Sequence, residues 1–324
     1  WDVKVVFPSF DTPMKTTTLR ERLLLQEDLN FLLTNRVPRL ALTRFVGWYS
    51  QIRSPWLTRL SIAVWRWFTP LDLSEAAKQE VNSLHDCFTR SLKPHSRPFV
   101  PDADTICCPS DGIVGACGDM QGTQLLQAKG FPYTLEDLLG SAELAQRYAH
   151  GKYVTLRLTS SMYHRFHAPA DGLVERVTYI SGDTWNVNPI ALKRVERLFC
   201  KNERAVVEMR LTKDKSALAL VPVAAILVAS IRLHFIDVLL HLRYRGPNVM
   251  RCFAPHLKGD EMGWFEHGST IIVLLPAHLD LAAGIQPGTV VKAGQALAQH
   301  PVGETGQSAV PTDLATALPG ASHG

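Results

Sequence analysis

The sequence lacks three features that would each place it in a familiar class of protein. None of its six cysteines forms a Cys-x-x-Cys pair, so the spacing typical of a structural zinc site is absent. Its longest largely apolar run, residues 217–231, is shorter than the roughly 20 residues that a membrane-spanning helix needs. No acidic residue occurs between Leu29 and Leu71. We therefore expect the cysteines to be reduced thiols and the chain to have no transmembrane helix. The acid-free segment is the most unusual part of the charge distribution.

The acid-free segment combines positive charge with large aromatic side chains. Its arginines alternate with Trp, Phe and Leu at helical spacing, which is typical of an amphipathic helix pair at a membrane surface. There, arginines would meet anionic head groups and the indoles would lie at head-group level. An ordinary helix pair with a solvated basic face fits equally well, whereas no nucleic-acid-binding motif accompanies the charge. The residues are Arg36, Arg39, Arg44, Arg53, Arg59 and Arg66, with Trp48, Trp56, Trp65 and Trp67.

Helix signals are concentrated in the first part of the chain. Pro55 predicts the start of a helix that ends before Pro70. A further helix is predicted from Ser74 to about Leu84, because serine is a good N-cap. Residues 134–150 are predicted to form a helix that breaks at Gly140, and helical periodicity also extends over residues 18–33.

From Cys107 onwards the sequence is typical of β structure. Asp-Gly dipeptides at 111–112 and 171–172 precede short apolar or alternating runs and predict hairpins. The apolar run 217–231 predicts a buried strand that breaks at Pro222. Residues 287–297 resemble the turn and strand of biotinyl and lipoyl carrier domains. We therefore predict an α+β fold, with N-terminal amphipathic helices followed by a mostly antiparallel β-sandwich or barrel-like domain.

The tripeptide Gly268-Ser269-Thr270 precedes a second apolar run and suggests chemistry on the chain itself. Glycine has no Cβ, so its peptide can take a strained conformation that lets a side chain reach its carbonyl carbon. The Ser269 hydroxyl is the neighbouring nucleophile. A plain turn is the ordinary interpretation of such a tripeptide, and the chemical one depends on partners elsewhere in the chain.

Two other motifs supply such partners. Cys-Pro-Ser-Asp-Gly at 108–112 contains Asp111, and Ser-Met-Tyr-His-Arg-Phe-His-Ala-Pro-Ala-Asp-Gly at 161–172 contains His164 and His167. With Met-Gly-Trp-Phe-Glu-His-Gly-Ser-Thr at 262–270, and in this order, they resemble the signature of the phosphatidylserine decarboxylases of bacteria and mitochondria. The resemblance extends from about residue 38 to residue 301.

This resemblance implies that the chain cuts itself. A serine becomes a good nucleophile when a histidine takes its proton and a carboxylate orients that histidine. The family assigns these roles to Ser269, His167 and Asp111. Ser269 Oγ would attack the carbonyl carbon of Gly268, and elimination would then break the chain. The products would be a large subunit, 1–268, and a small subunit, 269–324, whose first residue becomes a covalent pyruvoyl group.

The resemblance also implies a reaction and a location. The pyruvoyl group would form a Schiff base with phosphatidylserine and accept the electrons left when CO2 departs, giving phosphatidylethanolamine. His164 would serve the decarboxylation half, by protonating the substrate α-carbon. Neither a metal nor pyridoxal phosphate is implied. A homodimer is expected, bound peripherally to the cytoplasmic face of a bacterial inner membrane or to a mitochondrial inner membrane.

Three regions follow from these patterns. They are a helical membrane-associating region at 1–100, a β-rich catalytic domain at 101–301 and a disordered tail at 302–324. The chain departs from the family pattern at His267, where leucine is usual, and we expect this side chain to point away from Gly268. It departs again at Ala225 and Ala229, where glycines are expected.

Other functions remain open at this stage. A serine hydrolase could use Asp111, His167 and Ser269 on an external ester or amide, although Ser269 does not lie in a Gly-x-Ser-x-Gly elbow. A non-catalytic membrane-binding or carrier-like β protein is a third possibility.

The individual motif residues also have other interpretations. The His-x-x-His spacing also fits a metal-binding pair, but no matching third ligand accompanies it. Asp111 fits a simple turn. For the aromatic side chains of the two motifs we predict core packing; these are Tyr163, Phe166 and Phe265.

Overall fold

A computed structural model describes residues 38–126, 131–226, 230–266 and 269–301. The predicted helical segment 18–33 and the predicted tail 302–324 lie outside the described residues. The described helices are α1 Arg39–Ser50, α2 Pro55–Phe68, α3 Leu84–Phe88, α4 Leu135–Leu139, α5 Ala142–Tyr148, α6 Pro189–Leu192 and α7 Leu198–Lys201. The described strands are β1 Thr105–Cys107, β2 Gly112–Asp119, β3 Gln124–Leu126, β4 Pro132–Thr134, β5 Lys152–Leu158, β6 Arg165–His167, β7 Gly172–Ile180, β8 Arg204–Leu211, β9 Ala217–Ala224, β10 Ser230–Leu233, β11 Val238–His241, β12 Val249–His256, β13 Glu261–Phe265, β14 Ser269–Leu275, β15 Asp280–Leu281, β16 Val290–Val291 and β17 Ala296–Gln299.

The strands form one large sheet and three smaller ones. The large sheet has the order β12-β7-β8-β9-β14-β5-β2-β16, and the smaller ones are β11-β10-β13-β6, β1-β17-β15 and β3-β4. All pairs between these strands are antiparallel. The predicted α+β class, with N-terminal helices before mostly antiparallel sheets, is confirmed.

The large sheet is covered on both faces, which explains the continuous apolar sequence of its central strand. All seven residues of β14 are buried. Because side chains alternate along a strand, Ile271 and Val273 enter one hydrophobic core while Ile272 and Leu274 enter the other. The second core includes side chains from α4, α5 and α7, and the first includes side chains of the smaller sheets.

Two helix predictions are confirmed. Helix α2 begins at Pro55, which suits the first helical position because proline has no N–H to lose, and Ser54 Oγ caps the helix. The helix predicted over 134–150 is broken at Gly140, whose φ of 69° ends α4 before α5 starts. Among the described residues, none of the helices has the length and apolar character required to cross a membrane.

The helix predicted from Ser74 to Leu84 is wrong. Ser74 is held in a tight turn by Asp72, which accepts hydrogen bonds from its backbone N–H and its hydroxyl. The next residues pair in an extended manner with residues 91–93, through Ala77 N to Ser91 O and Lys93 N to Glu75 O. A helix starts only at Leu84, where Ser83 caps it. Long-range backbone pairing therefore overrides the local helix signal.

The predicted break at Pro222 is also wrong, because β9 passes through the proline without interruption. On the β14 side Pro222 lies opposite Ile271. On the β8 side, pairs form at Val223 and Leu220, but not at the two described positions between them. The residue without an N–H thus lies where pairing with β8 is interrupted, and pairing with β14 carries the strand past it.

The two Asp-Gly dipeptides do not form hairpins, so this prediction is wrong as well. Gly112 and Gly172 begin β2 and β7, but the preceding strands β1 and β6 pair with β17 and β13 instead. The glycine at 172 is needed for close packing, since a Cβ there would lie 2.7 Å from the Arg210 carbonyl oxygen.

Candidate active site

Backbone hydrogen bonds bring the three sequence motifs together around β6. The His167 N–H donates to the Pro109 carbonyl (2.8 Å), so the Pro-Ser-Asp-Gly segment runs beside the histidine pair. On the other side, the Phe265 N–H donates to the His164 carbonyl (2.9 Å). Strand β13 therefore lies beside the histidine strand β6, and the chain continues from its end to Ser269.

Ser269 lies level with the start of β2. Ile113 and Thr270 are both paired with Arg157 of the intervening strand β5. Ser269 and Gly112 therefore lie at the same end of the sheet, two strand spacings or about 9–10 Å apart along the hydrogen-bonding direction. Asp111 precedes Gly112 directly, so the sheet register explains why distant motifs reach one region.

The Ser269 side chain is fully buried, and its Oγ has no hydrogen-bond partner among the described residues. Buried hydroxyls usually find a partner, so leaving this one unpaired costs free energy. Gly268 and His267 lie outside the described residues, and the predicted orientation of His267 remains a prediction.

His167 is held in a single tautomer. Its Nδ1 lies 2.9 Å from the Gly259 carbonyl oxygen, which can only accept, so Nδ1 carries the proton. Its Nε2 then accepts a hydrogen bond from the Tyr163 hydroxyl at 2.9 Å. Burial lowers the pKa of His167 below its ordinary value, so the ring is neutral near pH 7 and its Nε2 is the basic atom.

His164 is more deeply buried than His167 and differently partnered. Its Nδ1 lies 2.9 Å from the Met162 carbonyl, and its Nε2 has no partner within the described ranges. The Phe88 ring packs against it, with ring centroids 4.3 Å apart. Burial lowers the pKa of His164 to about 3, which keeps the ring neutral at all physiological pH values.

Asp111 does not hydrogen-bond to His167. Its two carboxylate oxygens accept from Arg97 Nε and Nη2 at 2.7 and 2.6 Å, and Oδ1 also accepts from the Ala293 N–H. Arg97 pairs with Glu75 as well. Burial alone would lower the pKa of Arg97, but the hydrogen bonds and charges of Asp111 and Glu75 raise it. The orienting partner of His167 is thus the Gly259 carbonyl, a contact that sequence reasoning missed.

The aromatic residues of the motifs separate into two kinds. Phe166 and Phe265 are fully buried and pack together, as predicted, with centroids 5.5 Å apart. Core packing does not fully describe Tyr163, because its hydroxyl binds His167 and the Arg97 guanidinium lies over its ring. Burial raises the pKa of Tyr163, so the phenol stays protonated and able to donate.

Sequence reasoning also missed the residue that anchors the end of β13. Glu266 is a buried carboxylate that precedes the His267-Gly268 pair. Its Oε2 accepts from Ser230 Oγ at 2.7 Å, and its Oε1 lies 3.7 Å from His85 Nδ1. These contacts fix the backbone just before the Gly-Ser junction to β10 and α3.

Helices α1 and α2 present a second surface next to this region. Their exposed side chains include Trp48, Trp56 and Trp67, with 63, 74 and 61% of their surface accessible. On the inner side of α2, Trp65 stacks on Phe88 at 5.4 Å, and Phe88 packs on His164. A single aromatic layer therefore separates the exposed helix pair from the buried histidine.

Not all arginines of the acid-free segment are available to a membrane. Arg39 donates to Asp183 at 2.6 Å and stacks on the Trp185 ring at 3.8 Å, so it ties α1 to the β domain. A cavity of about 300 Å³ beside α3 is lined by cations and two carboxylates. Its charged residues are Arg53, Lys78, Glu80, Asp86, Arg90 and Arg165.

These observations define a class of protein: an antiparallel α+β protein with a buried, unpaired serine hydroxyl and two neutral histidines at one end of its main sheet. The family model described as phosphatidylserine decarboxylase matches residues 84–299, which is more than half of the chain. The chain therefore belongs to the phosphatidylserine decarboxylase family, a family of carboxy-lyases.

Curated relatives agree with this assignment. The phosphatidylserine decarboxylase proenzyme of Brevibacillus brevis is 36% identical over 272 residues, which cover 82% of this chain and 96% of the relative. That of Methylobacillus flagellatus is 36% identical over 275 residues, with 81 and 96% covered. That of Erwinia tasmaniensis is 32% identical over 278 residues, with 82 and 92% covered. The family resemblance inferred from the motifs is confirmed.

Proposed function

We propose that this chain is a phosphatidylserine decarboxylase that generates its own pyruvoyl group by cutting between Gly268 and Ser269. One observation carries the proposal: the Ser269 hydroxyl is buried and unpaired in the described structure, at the sheet end where the histidine motif also lies. The relatives named above are proenzymes, which agrees with a maturation step. Family membership also favours this activity over a serine hydrolase or a non-catalytic carrier.

The cleavage step needs a base, and His167 is the proposed one. Its Nε2 takes the Ser269 Oγ proton while Oγ bonds to the Gly268 carbonyl carbon, and the amide nitrogen leaves with a proton to give an ester. Loss of the Ser269 Cα proton then forms a Cα–Cβ double bond and breaks the Cβ–Oγ bond, which releases Gly268 as a carboxylate that keeps Oγ. Water hydrolyses the remaining dehydroalanine to a ketone and frees ammonia.

Two details of this step follow from the contacts of His167. Tyr163 must release Nε2 before Ser269 can use it, because both compete for one lone pair. The Gly259 carbonyl keeps the proton on Nδ1 throughout, which is the tautomer that a base at Nε2 requires. Asp111 then contributes as a charge held by Arg97 rather than through a direct hydrogen bond.

The surroundings of Ser269 suit a reactive ketone. When formed, the pyruvoyl group supplies an electrophile for a primary amine and an electron sink for decarboxylation. The buried site excludes water, which protects such a group from side reactions. His164 Nε2 has no partner among the described residues and is the proton-accepting atom of a neutral ring, so we assign it to a relay in which it first takes up a proton and then passes it to the substrate α-carbon.

The neighbouring surface supports a phospholipid substrate at a membrane. We assign α1 and α2 to peripheral binding at an anionic membrane, with their exposed tryptophans in the head-group layer. The cavity beside α3 is lined by four cations and two carboxylates, which suits a phosphoserine head group with its phosphate, carboxylate and ammonium. In this assignment residues 1–100 serve membrane attachment and residues 101–301 catalysis, at the cytoplasmic face of the membrane.

A homodimer is part of the proposal. The edge strand β12 exposes Val249, Phe253 and the adjacent Leu257, an apolar row that a second copy would cover. Light scattering after size exclusion should give about twice the mass of one chain, and Phe253→Asp should give the monomer mass. A wild-type monomer at micromolar concentration would contradict this assignment.

Purified wild type and Ser269→Ala should be compared by denaturing electrophoresis and intact mass. Self-cleavage predicts fragments of about 30 and about 6 kDa from the 36.0 kDa chain, with no free amine on the smaller one. Ser269→Ala should stay whole, while the surface-turn variant Ser74→Ala should be cut like wild type. A wild-type chain that remains intact and yet decarboxylates phosphatidylserine would refute the proposal.

A further inference from the structure

Two histidines and an aspartate meet at the end of the main sheet opposite Ser269. Asp214 lies in the β8–β9 turn, His278 in the turn after β14, and His300 directly after β17. Strand β14, seven residues long, runs from Ser269 to this end of the sheet, a distance of about 20 Å. The cluster is therefore remote from the serine centre and has no part in the chemistry proposed above.

The three side chains are arranged around one point. His278 Nε2 lies 2.7 Å from Asp214 Oδ2, and His300 Nδ1 lies 3.9 Å from the same oxygen. The ligand atoms that the three residues offer all lie within 4.8 Å of one another. The side chain of His278 is 44% accessible, that of Asp214 25% and that of His300 12%, so the cluster opens to solvent on one side.

The carboxylate is held in place by its own neighbours. Asp214 Oδ1 accepts hydrogen bonds from the Ser216 N–H (2.9 Å) and the Ser216 hydroxyl (2.7 Å), which leaves Oδ2 directed to the histidines. The backbone N–H of His300 donates to the Asp104 carbonyl, which fixes the chain at this point. The contacts between Asp214 and Ser216 are of the kind that orient ligands in protein metal sites.

A simple ion pair does not account for the whole arrangement. Asp214 and His278 would be sufficient for one, yet a second imidazole lies beside them with ring centroids 5.4 Å apart. The nearby Lys213 is engaged by Asp104 and so leaves the Asp214 carboxylate to the histidines. Two imidazoles and one carboxylate with an open side form a donor set that suits a borderline divalent cation such as Zn²⁺.

We propose that Asp214, His278 and His300 bind a divalent transition-metal ion of the zinc type. Binding of the ion does not depend on self-cleavage, but its consequence rests on the proposed function. If the chain is cut after Gly268, Asp214 belongs to the large subunit and both histidines to the small one. The ion would then connect the two chains at the sheet end farthest from the cut.

Calorimetric titration with Zn²⁺ tests the site on protein that carries no polyhistidine tag and has been stripped of metal. Wild type should bind about one equivalent, and His278→Gln and His300→Gln should each weaken binding about tenfold or more. The exposed histidine variant His95→Gln is the matched control and should bind like wild type. Saturable binding that survives in the His278→Gln/His300→Gln double variant, or its absence in wild type, would overturn the proposal.

Two further measurements identify the ligands and separate this proposal from self-cleavage. Co²⁺ bound to wild type should give visible d–d absorption bands that both glutamine variants lose, a signature that a purely structural role would not produce. Ser269→Ala should bind Zn²⁺ as tightly as wild type. Zinc binding can therefore be tested even if the chain never cuts itself. In cut protein, a chelator should lower the urea concentration that separates the two chains, and should have no such effect in the double variant.

Discussion

At the scale of single residues, the hydrogen bond between Tyr163 and His167 controls access to the proposed base. Tyr163→Phe removes the donor that occupies Nε2, so self-cleavage should proceed at least as fast as in wild type. His167→Gln should stop it, because an amide cannot accept the Ser269 proton. A time course of chain cleavage after cell-free synthesis measures both rates. A folded Tyr163→Phe chain that stays uncut would show that self-cleavage requires the Tyr163 hydroxyl.

The pH dependence of cleavage follows from the same histidine. Burial lowers the pKa of His167 below 6.5, so the ring remains neutral, and competent as a base, as the pH falls through 6.5. The rate of self-cleavage should therefore be flat from pH 8 to 6.5 and fall only in more acidic buffer. A rate that already halves near pH 6.5 would indicate an ordinary, solvated histidine.

Glu203 offers a separate test at the residue scale. It is buried, Tyr179 donates to its Oε1, and burial raises its pKa to about 7 from an ordinary 4.5. Between these pH values the folded state keeps a proton that the unfolded state has lost, so stability falls as pH rises through this window. The loss is on the order of 3 kcal/mol and is complete above pH 7.

Glu203→Gln keeps the shape and removes the titration. Its melting temperature should exceed that of wild type at pH 8 and match it near pH 4.5, as measured by calorimetry. The exposed variant Glu196→Gln should show no such difference. Equal pH dependence in wild type and Glu203→Gln would show that this carboxyl is already ionised in the fold.

The residues of the candidate site could be named from motifs, but their contacts could not. Ser269, His164, His167 and Asp111 follow from short patterns, because each pattern keeps its spacing along the chain. The partner of His167 is a carbonyl at Gly259, 92 residues away, and backbone carbonyls leave no mark in a sequence. Arg97 likewise gives no signal of its pairing with Asp111.

At the scale of elements, the exposed aromatic face of α1 and α2 is predicted to bind membranes. The double variant Trp56→Gln/Trp67→Gln should bind anionic phospholipid vesicles at least about tenfold more weakly in a sedimentation assay, because the indoles supply the interfacial contact. Val290→Gln removes an exposed apolar side chain from β16, outside both α1–α2 and the proposed dimer surface, and serves as the control. Unchanged binding by the tryptophan variant would assign the face to another partner.

Charge should contribute to the same interaction in a salt-dependent way. Arg44→Gln/Arg59→Gln should weaken vesicle binding at low salt and flatten its dependence on ionic strength, since exposed charges are screened over about 10 Å at 0.1 M. Arg39 is left unchanged because Asp183 holds it. Wild-type vesicle binding that does not change with salt concentration would contradict an interfacial role for these arginines.

Element predictions succeeded where local chemistry decides and failed where distant pairing does. Pro55 and Gly140 act on their own backbone, and both predictions hold. Pro222 was expected to end a strand, but the interrupted ladder beside β8 accommodates it. Ser74 carries a good cap signal, yet residues 75–77 are committed to pairing with 91–93. These outcomes depend on partners that local patterns do not specify.

At the scale of the whole molecule, the proposed cut would leave the small chain inside the fold of the large one. β14 begins at Ser269 and lies between β5 and β9, which both belong to the large chain. Its five apolar residues from Ile271 to Leu275 are fully buried, and at about 1.5–3 kcal/mol each they contribute roughly 8–15 kcal/mol, which is an upper estimate. The two chains should therefore behave as one folded unit.

Cut wild-type protein should accordingly elute as a single species in native size exclusion, with both chains in constant ratio, and separate only in denaturant. Val273→Asp places a carboxylate in the core at the middle of β14 and should release the small chain or prevent folding before cleavage. The exposed variant Val290→Asp, also on the small chain, should leave the pair intact. Loss of the small chain from wild type without denaturant would mean that β14 is not held as a central strand between β5 and β9, and the register that places Ser269 level with the start of β2 would fail with it.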